Sequence, residues 1–225
     1  MPLTSILEFT DTTVDPNIRG FLHVPETPNQ DGVILTHGAG GNAQAPLLRA
    51  LAETFVAAGF TVLRNDLPFR QLRPFGPPGP GDASRDRAGL KNANAKMRTM
   101  LSGRIYLGGH SYGGRQASML CAEQPDLAAG LLLLSYPLHP PLRPEQQRTQ
   151  HLPDLRTPTL FIHGTRDPFG TIAELERALK MIPAKTKLME IEGAGHDLGF
   201  KGKSKKEELL SLIFSEFSNL LRLSS

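Results

Sequence analysis

A serine hydroxyl becomes a useful nucleophile when a neighbouring base can take its proton, and the chain offers one serine in the setting such help requires. Ser111 sits in Gly109-His110-Ser111-Tyr112-Gly113, after the short apolar run Arg104–Gly108 and before the helical pattern Tyr112–Gln124. This is G-x-S-x-G between a strand and a helix. The turn is tight enough that the residues two before and two after the serine must be small. It lifts the hydroxyl above the end of the sheet and aims a helix N-terminus at the reaction centre, where developing negative charge is favoured. A base and a group to orient it follow along the chain. Asp167 lies in His163-Gly164-Thr165-Arg166-Asp167-Pro168, and His196 lies in Glu192-Gly193-Ala194-Gly195-His196-Asp197. Each segment follows a short apolar run. A serine attacking a carbonyl, a histidine carrying its proton and an aspartate holding the histidine together perform acyl transfer. Local sequence also permits Asp167 to be a turn or capping residue before a helix at Thr171.

Acyl transfer needs donors for the oxyanion. The segment Thr36-His37-Gly38-Ala39-Gly40-Gly41 presents backbone N–H groups after another apolar run. It nominates the Ala39 N–H, with Gly38 or Gly40 as neighbours, together with the N–H of Tyr112, the residue after the nucleophile. The segment has neither a G-K-[ST] ending nor G-x-G-x-x-G spacing, so it does not read as a phosphate loop. His37 reads as a brace for the loop backbone. Cys121 falls ten residues after Ser111 inside the following helix and reads as packing. The remaining histidines are scattered and form no H-E-x-x-H or similar cluster, so neither a metal nor another cofactor is expected. Arg70, Arg73 and Arg115 lie on or beside these loops and are open to either an anionic substrate group or a structural partner.

Several elements must hold these residues in place. Leu3–Phe9 and Arg19–Val24 read as an opening strand pair. Gly32–Thr36, Thr61–Arg64, Arg104–Gly108, Gly130–Leu134, Thr159–His163 and Lys187–Ile191 read as strands buried on both faces of a parallel sheet. Helical spacing fills the intervals at Ala43–Ala58, Ser84–Leu101, Tyr112–Gln124, Thr171–Met181 and Ser204–Leu221. The last carries Leu209, Leu212, Ile213, Phe217 and Leu220 as its apolar face. This alternation predicts an α/β fold with a mostly parallel sheet of about eight strands, as one domain over residues 1–225. Two irregular segments, Pro68–Gly81 and Pro137–Pro158, follow strands at the end of the sheet where ligands bind. They are expected to wall the pocket, and neither is long enough for a cap domain.

Composition narrows the function classes. The chain has 225 residues, 39% hydrophobic and 21% charged, as an ordinary globular domain does. One cysteine excludes an intrachain disulfide and a cysteine-based zinc site. The longest apolar run, Leu127–Leu134, is eight residues, too short to span a bilayer, and the N-terminus does not read as a signal peptide. A cytoplasmic protein with no membrane partner is expected. The formal net charge is +3, but residues 49–115 hold 11 Lys/Arg against four acidic residues. With no tryptophan and 6% aromatics, this excess reads as a solvated basic face and not as a nucleic-acid site.

The motifs and the order Ser111, Asp167, His196 resemble the α/β-hydrolase superfamily over nearly the whole chain. A narrower likeness rests on Ser135-Tyr136-Pro137-Leu138-His139-Pro140, His37-Gly38-Ala39-Gly40-Gly41, Gly114-Arg115 and Lys201-Gly202-Lys203-Ser204. These look like a branch that includes a testis-expressed vertebrate protein and a subunit of a chromatin histone-acetyltransferase complex, with a cap-less, dienelactone-hydrolase-like core. Dienelactone hydrolases generally place cysteine at the elbow, where this chain has Ser111. The resemblance implies a serine hydrolase acting on a small acyl substrate. Tyr136 and His139 would face the pocket mouth, and Gly38, Gly40 and Arg70 would contact substrate. It also leaves open a non-catalytic scaffold, because the superfamily contains interaction proteins, and an acyltransferase using the same residues. No feature of the sequence assigns an oligomeric state.

Overall fold

Leu131, Leu132, Leu133 and Leu134 are consecutive and all fully buried, which only a strand covered on both faces allows. Successive side chains of a strand point to opposite faces. Leu131 and Leu133 enter one core cluster, and Leu132 and Leu134 enter the other. Each such leucine contributes about 1.5–3 kcal/mol by leaving water.

The computed structural model describes residues 5–200 and 206–222. Positions 3–4 of the first expected strand and the 201–204 run lie outside the described residues. The described chain runs β1 (Ser5–Asp11), β2 (Ile18–Val24), β3 (Gly32–Thr36), α1 (Pro46–Ala57), β4 (Thr61–Asn65), α2 (Pro68–Leu72), α3 (Asp82–Met100), β5 (Ile105–His110), α4 (Tyr112–Glu123), β6 (Leu131–Leu134), β7 (Thr159–Gly164), α5 (Ile172–Leu179), β8 (Thr186–Ile191) and α6 (Lys206–Arg222). The sheet order is β1-β2-β4-β3-β5-β6-β7-β8. β2 pairs antiparallel with β1 and with β4, and the strands from β4 to β8 are parallel neighbours. Helices α3, α4 and α5 cover one face, while α1 and α6 cover the other. After β3 the chain adds β4 on one side, then crosses back to place β5 on the other. The crevice opened by that reversal lies at the carboxyl ends of β3 and β5, where the Gly38 loop and the Ser111 turn emerge.

The expected elements are present, with five differences. α1 starts at Pro46 and not at Ala43, because Asn42 turns the chain: its carbonyl accepts from the Ala45 N–H and its side chain from the Gln44 N–H. Proline then occupies the first helical turn, where a missing N–H costs nothing. The 68–81 segment contains α2, likewise begun by proline, and the 137–158 segment contains a 3-10 turn at Leu152–Asp154. β8 is an edge strand in which only Met189 is fully buried, not a strand covered on both faces. In α6, Leu210 faces the core and Leu212 stands half exposed.

The basic excess of residues 49–115 is largely neutralised from elsewhere in the chain. Arg85 pairs with Asp15, Arg87 with Glu123, Lys96 with Asp11 and Arg104 with Asp31. Arg64 and Arg70 are buried, with guanidinium N–H groups on His23 and on backbone carbonyls.

Candidate active site

β5 delivers Ser111 and β6 pins it, since the Ser111 N–H donates to the Leu134 carbonyl at 2.8 Å. Ser111 has φ 51° and ψ −119°, a conformation that costs a serine on the order of 1–3 kcal/mol and survives only where packing dictates it. Gly113 shows that packing: a Cβ there would lie 2.4 Å from the His37 carbonyl oxygen. Glycine alone lets α4 start this close to the end of β3. α4 begins at once, leaving the Tyr112 N–H without an acceptor inside the helix.

β7 and β8 supply the other two side chains. His196 Nε2 lies 2.7 Å from Ser111 Oγ, and His196 Nδ1 lies 2.8 Å from Asp167 Oδ2. A carboxylate only accepts, so Nδ1 carries the proton and Nε2 faces the serine hydroxyl as an acceptor. The Asp167 side chain is fully buried, and its second oxygen accepts the Phe169 N–H at 2.9 Å. It does not cap α5: Thr171 and Glu174 form that cap as a reciprocal box. The His196 loop folds tightly over the end of β7, where a Cβ on Gly164 would meet the Ala194 carbonyl oxygen at 2.2 Å.

The histidine is fixed from two more sides. The Phe169 ring lies over it with centroids 4.2 Å apart, tilted by 31°. His110 Nε2–H donates to the His196 carbonyl at 2.7 Å. Burial pushes the His110 pKa down, so it serves as a neutral donor. Neither contact was readable in the sequence, although the position of His110 immediately before Ser111 was the available signal.

The 37–41 loop is held by buried groups. His37 Nδ1–H donates to the Gly38 carbonyl at 2.8 Å, and His37 Nε2 accepts the Leu67 N–H at 3.1 Å. Burial brings the His37 pKa down to about 4, which keeps this neutral pairing intact. His37 is therefore the brace expected. The Ala39 and Tyr112 N–H groups donate to no backbone or side-chain acceptor among the described residues, and both residues line the cleft beside Ser111, as do Gly38 and Gly40. Behind Tyr112, its hydroxyl donates to Asp86 at 2.7 Å, and Asp86 also accepts the Phe69 N–H at 3.0 Å. Burial raises the Asp86 pKa.

Arg70 does not contact the cleft, which corrects the expectation that it binds substrate. Its guanidinium turns inward and donates to the carbonyls of Gly41, Ala39, Arg73 and Gly76 at 2.7–3.1 Å. It staples the 37–41 loop to the 68–81 segment. Arg70→Ala should therefore lower stability by about 2–4 kcal/mol in chemical denaturation, and Arg70→Lys should not restore it, because one ammonium cannot span these carbonyls. An unchanged denaturation midpoint in Arg70→Ala would mean that the staple holds nothing.

Tyr136 and His139 are also corrected. Ser135 turns the chain with φ 50°, and Tyr136 drops into the core, its ring edge-to-face on Phe161 and its hydroxyl donating to the Arg148 carbonyl at 2.7 Å. His139 is buried: its backbone N–H reaches the Phe169 carbonyl, and its Nδ1–H donates to the Pro140 carbonyl at 2.8 Å. Both support the wall without lining it. The wall comes from Pro77 and Pro78 of one irregular segment and from Pro137 and Arg148 of the other. The cleft they bound with Ser111 measures about 1210 Å³. Cys121 is buried, and its thiol is pushed up to about 12. Among the described residues no three His, Cys, Asp or Glu side chains gather as a metal would require, and no helix is long and apolar enough to cross a membrane.

A sequence model described as an alpha/beta hydrolase domain matches residues 29–219. The fold is similar to that of a dienelactone hydrolase from Anabaena variabilis, with TM-score 0.74, 24% identity and coverage of 95% of this chain and 96% of that one. It is similar to DcsB, solved with a substrate analogue, at TM-score 0.76, 18% identity and coverage of 97% and 98%. It is also similar to XC6422 from Xanthomonas campestris, described as an α/β serine hydrolase without a lid, at TM-score 0.72, 16% identity and coverage of 93% and 91%. Among curated proteins, 48 residues, 21% of this chain, are 48% identical to a stretch of polyketide synthase ThaQ from Burkholderia thailandensis. The chain spans only 2% of that protein's length.

Proposed function

The chain belongs to the α/β-hydrolase domain family, and from that premise we propose that it is a serine hydrolase cleaving an ester, thioester or related acyl bond. One observation carries the reading: an unbroken hydrogen-bonded line from Ser111 through His196 to Asp167, assembled from the ends of β5, β8 and β7. Ser111 Oγ attacks the carbonyl carbon as His196 Nε2 takes its proton. Asp167 holds the Nδ1 proton in place and stabilises the imidazolium that forms. The Ala39 and Tyr112 N–H groups receive the oxyanion, each such donor contributing about 3–4 kcal/mol to the transition state. His196 then protonates the leaving group, and water attacks the acyl-enzyme with His196 again as base. The absence of a large cap suits small or exposed acyl groups. The groups that act are the chain's own, and the scheme calls on no cofactor.

A panel of short-chain 4-nitrophenyl esters tests this. Turnover with a burst equal to the protein concentration is expected, together with loss of that turnover when a fluorophosphonate modifies Ser111. Turnover with added alcohol that yields only the exchanged ester would redirect the assignment to acyl transfer. Neither turnover nor labelling would remove the catalytic reading.

A further inference from the structure

Two cations face the cleft without a counter-ion. Arg115 lies one helical turn beyond Ser111 on α4, and Arg148 comes from the 137–158 segment; both line the cavity that holds Ser111. Arg19, Arg73, Arg85, Arg87 and Arg104 each reach a carboxylate. Among the described residues no carboxylate lies within 4.0 Å of Arg115 or Arg148, and Arg115 Nε is buried without a hydrogen-bond partner. The groups they touch are uncharged. Arg148 donates to the Pro137 carbonyl at 3.2 Å, and Arg115 approaches the Tyr136 hydroxyl. Ser118 bonds His151 Nε2 at 2.8 Å, and burial, aided by Arg115 and Arg87, brings the His151 pKa down to about 4. Burial and the charge of Arg115 also pull the Arg148 pKa down, as two close guanidiniums without an anion require. The acidic residue lining this cleft is Asp197, on the His196 loop.

Both residues are half-buried, and a guanidinium partly withdrawn from water beside another of the same sign gains from an anion. A planar carboxylate fits the fork of a guanidinium with two parallel hydrogen bonds. The Arg115 N–H donates to the Ser111 carbonyl at 3.0 Å and both residues line the same cleft, so an anion at Arg115 lies only a few bonds from a carbonyl at Ser111. We propose that Arg115 and Arg148 form a subsite for a carboxylate carried by the substrate, in its acyl or its alcohol portion, close to the bond that is cut. Tyr136 backs this pair from the core. The proposal rests on the hydrolase reading for its reaction but not for its binding.

Paired esters test it. One pair is 4-nitrophenyl hemiglutarate and its methyl-capped diester, with the charge on the acyl side. The other is the butyrate ester of glycolate and of methyl glycolate, with the charge on the alcohol side. In one of the pairs kcat/KM should favour the carboxylate about tenfold, and Arg115→Gln or Arg148→Gln should reduce that ratio to within about twofold. The ratio normalises for any general loss of activity, and Arg148→Gln, outside helix and strand, covers the case in which the α4 variant does not fold. No preference in either pair, or a preference that survives both substitutions, overturns the subsite. Calorimetric titration of the Ser111→Ala protein with monomethyl glutarate, against its Arg148→Gln derivative, reads binding without catalysis. If no ester is turned over, the hydrolase reading fails alone and this titration decides: binding at least fivefold tighter with Arg148 present supports the subsite, and equal or absent binding overturns it.

Discussion

Ser111→Ala is expected to lower turnover of a short nitrophenyl ester by about 10⁴- to 10⁶-fold and to abolish fluorophosphonate labelling, with the folded structure retained. The substitution deletes one oxygen. The backbone strain at φ 51° stays, because alanine is no freer there than serine, and the neighbours that impose it are unchanged. What disappears is the atom 2.7 Å from His196 Nε2. The one thiol of the chain cannot substitute, since Cys121 is buried on the core side of α4. Any residual rate would come from the Ala39 and Tyr112 donors acting on a water-attacked ester. Activity within tenfold of the wild type, with circular dichroism unchanged, would assign the nucleophile elsewhere.

Gly113→Ala should be a severely damaging single-methyl change, because it falls at the turn that carries Ser111. The added carbon would lie 2.4 Å from the His37 carbonyl oxygen and 2.7 Å from Thr36 Cγ2, both on the end of β3. Neither is the far end of a flexible side chain, so α4 must move away from the sheet. About 3 kcal/mol or more of stability should be lost. The rate should fall by 10² or more as well, because the same movement displaces Ser111 from His196 and from the 37–41 loop. Gly40→Ala gives the comparison for stability alone, since a Cβ there meets nothing within 4 Å. Thermal melts of the two proteins that coincide would show that the elbow is not close-packed in solution.

The parts of this site that were legible in the sequence are those fixed by local chemistry and chain order. The elbow announces itself because glycine, serine and a following helix must occur together within a few residues. Asp167 and His196 could be named because each follows a strand in the expected order, although local sequence also permitted Asp167 to be a cap. Other features depended on side-chain direction, which periodicity does not encode. Arg70 lies on a single turn of helix inside a proline-rich segment, and only the tertiary arrangement turns its guanidinium inward to four carbonyls. Tyr136 follows a strand facing the ligand end of the sheet, yet a left-handed Ser135 rotates it into the core. β8 carries Lys187 and Glu190 among its apolar residues, a mark of the edge position that the sheet order then shows. His110 and Phe169 were invisible as supports because each acts on His196 across more than 25 residues of chain.

The β1–β2 hairpin lies entirely before residue 29, where the family match begins. It also supplies Asp11, whose pKa the Thr13 hydroxyl and then Lys96 hold down to about 2. The loop that joins its strands supplies Asp15, paired with Arg85, and backbone carbonyls for Asn92 and Gln71. The hairpin thus acts as a fitted counter-charge for α3. The hairpin and α3 are electrostatically matched parts. A chain trimmed to residues 29–219 would expose a cationic helix face with its anions cut away, prone to adhere to any polyanion it meets. Transplanting the hairpin onto a relative would be fruitful only where that relative's third helix carries the same cations.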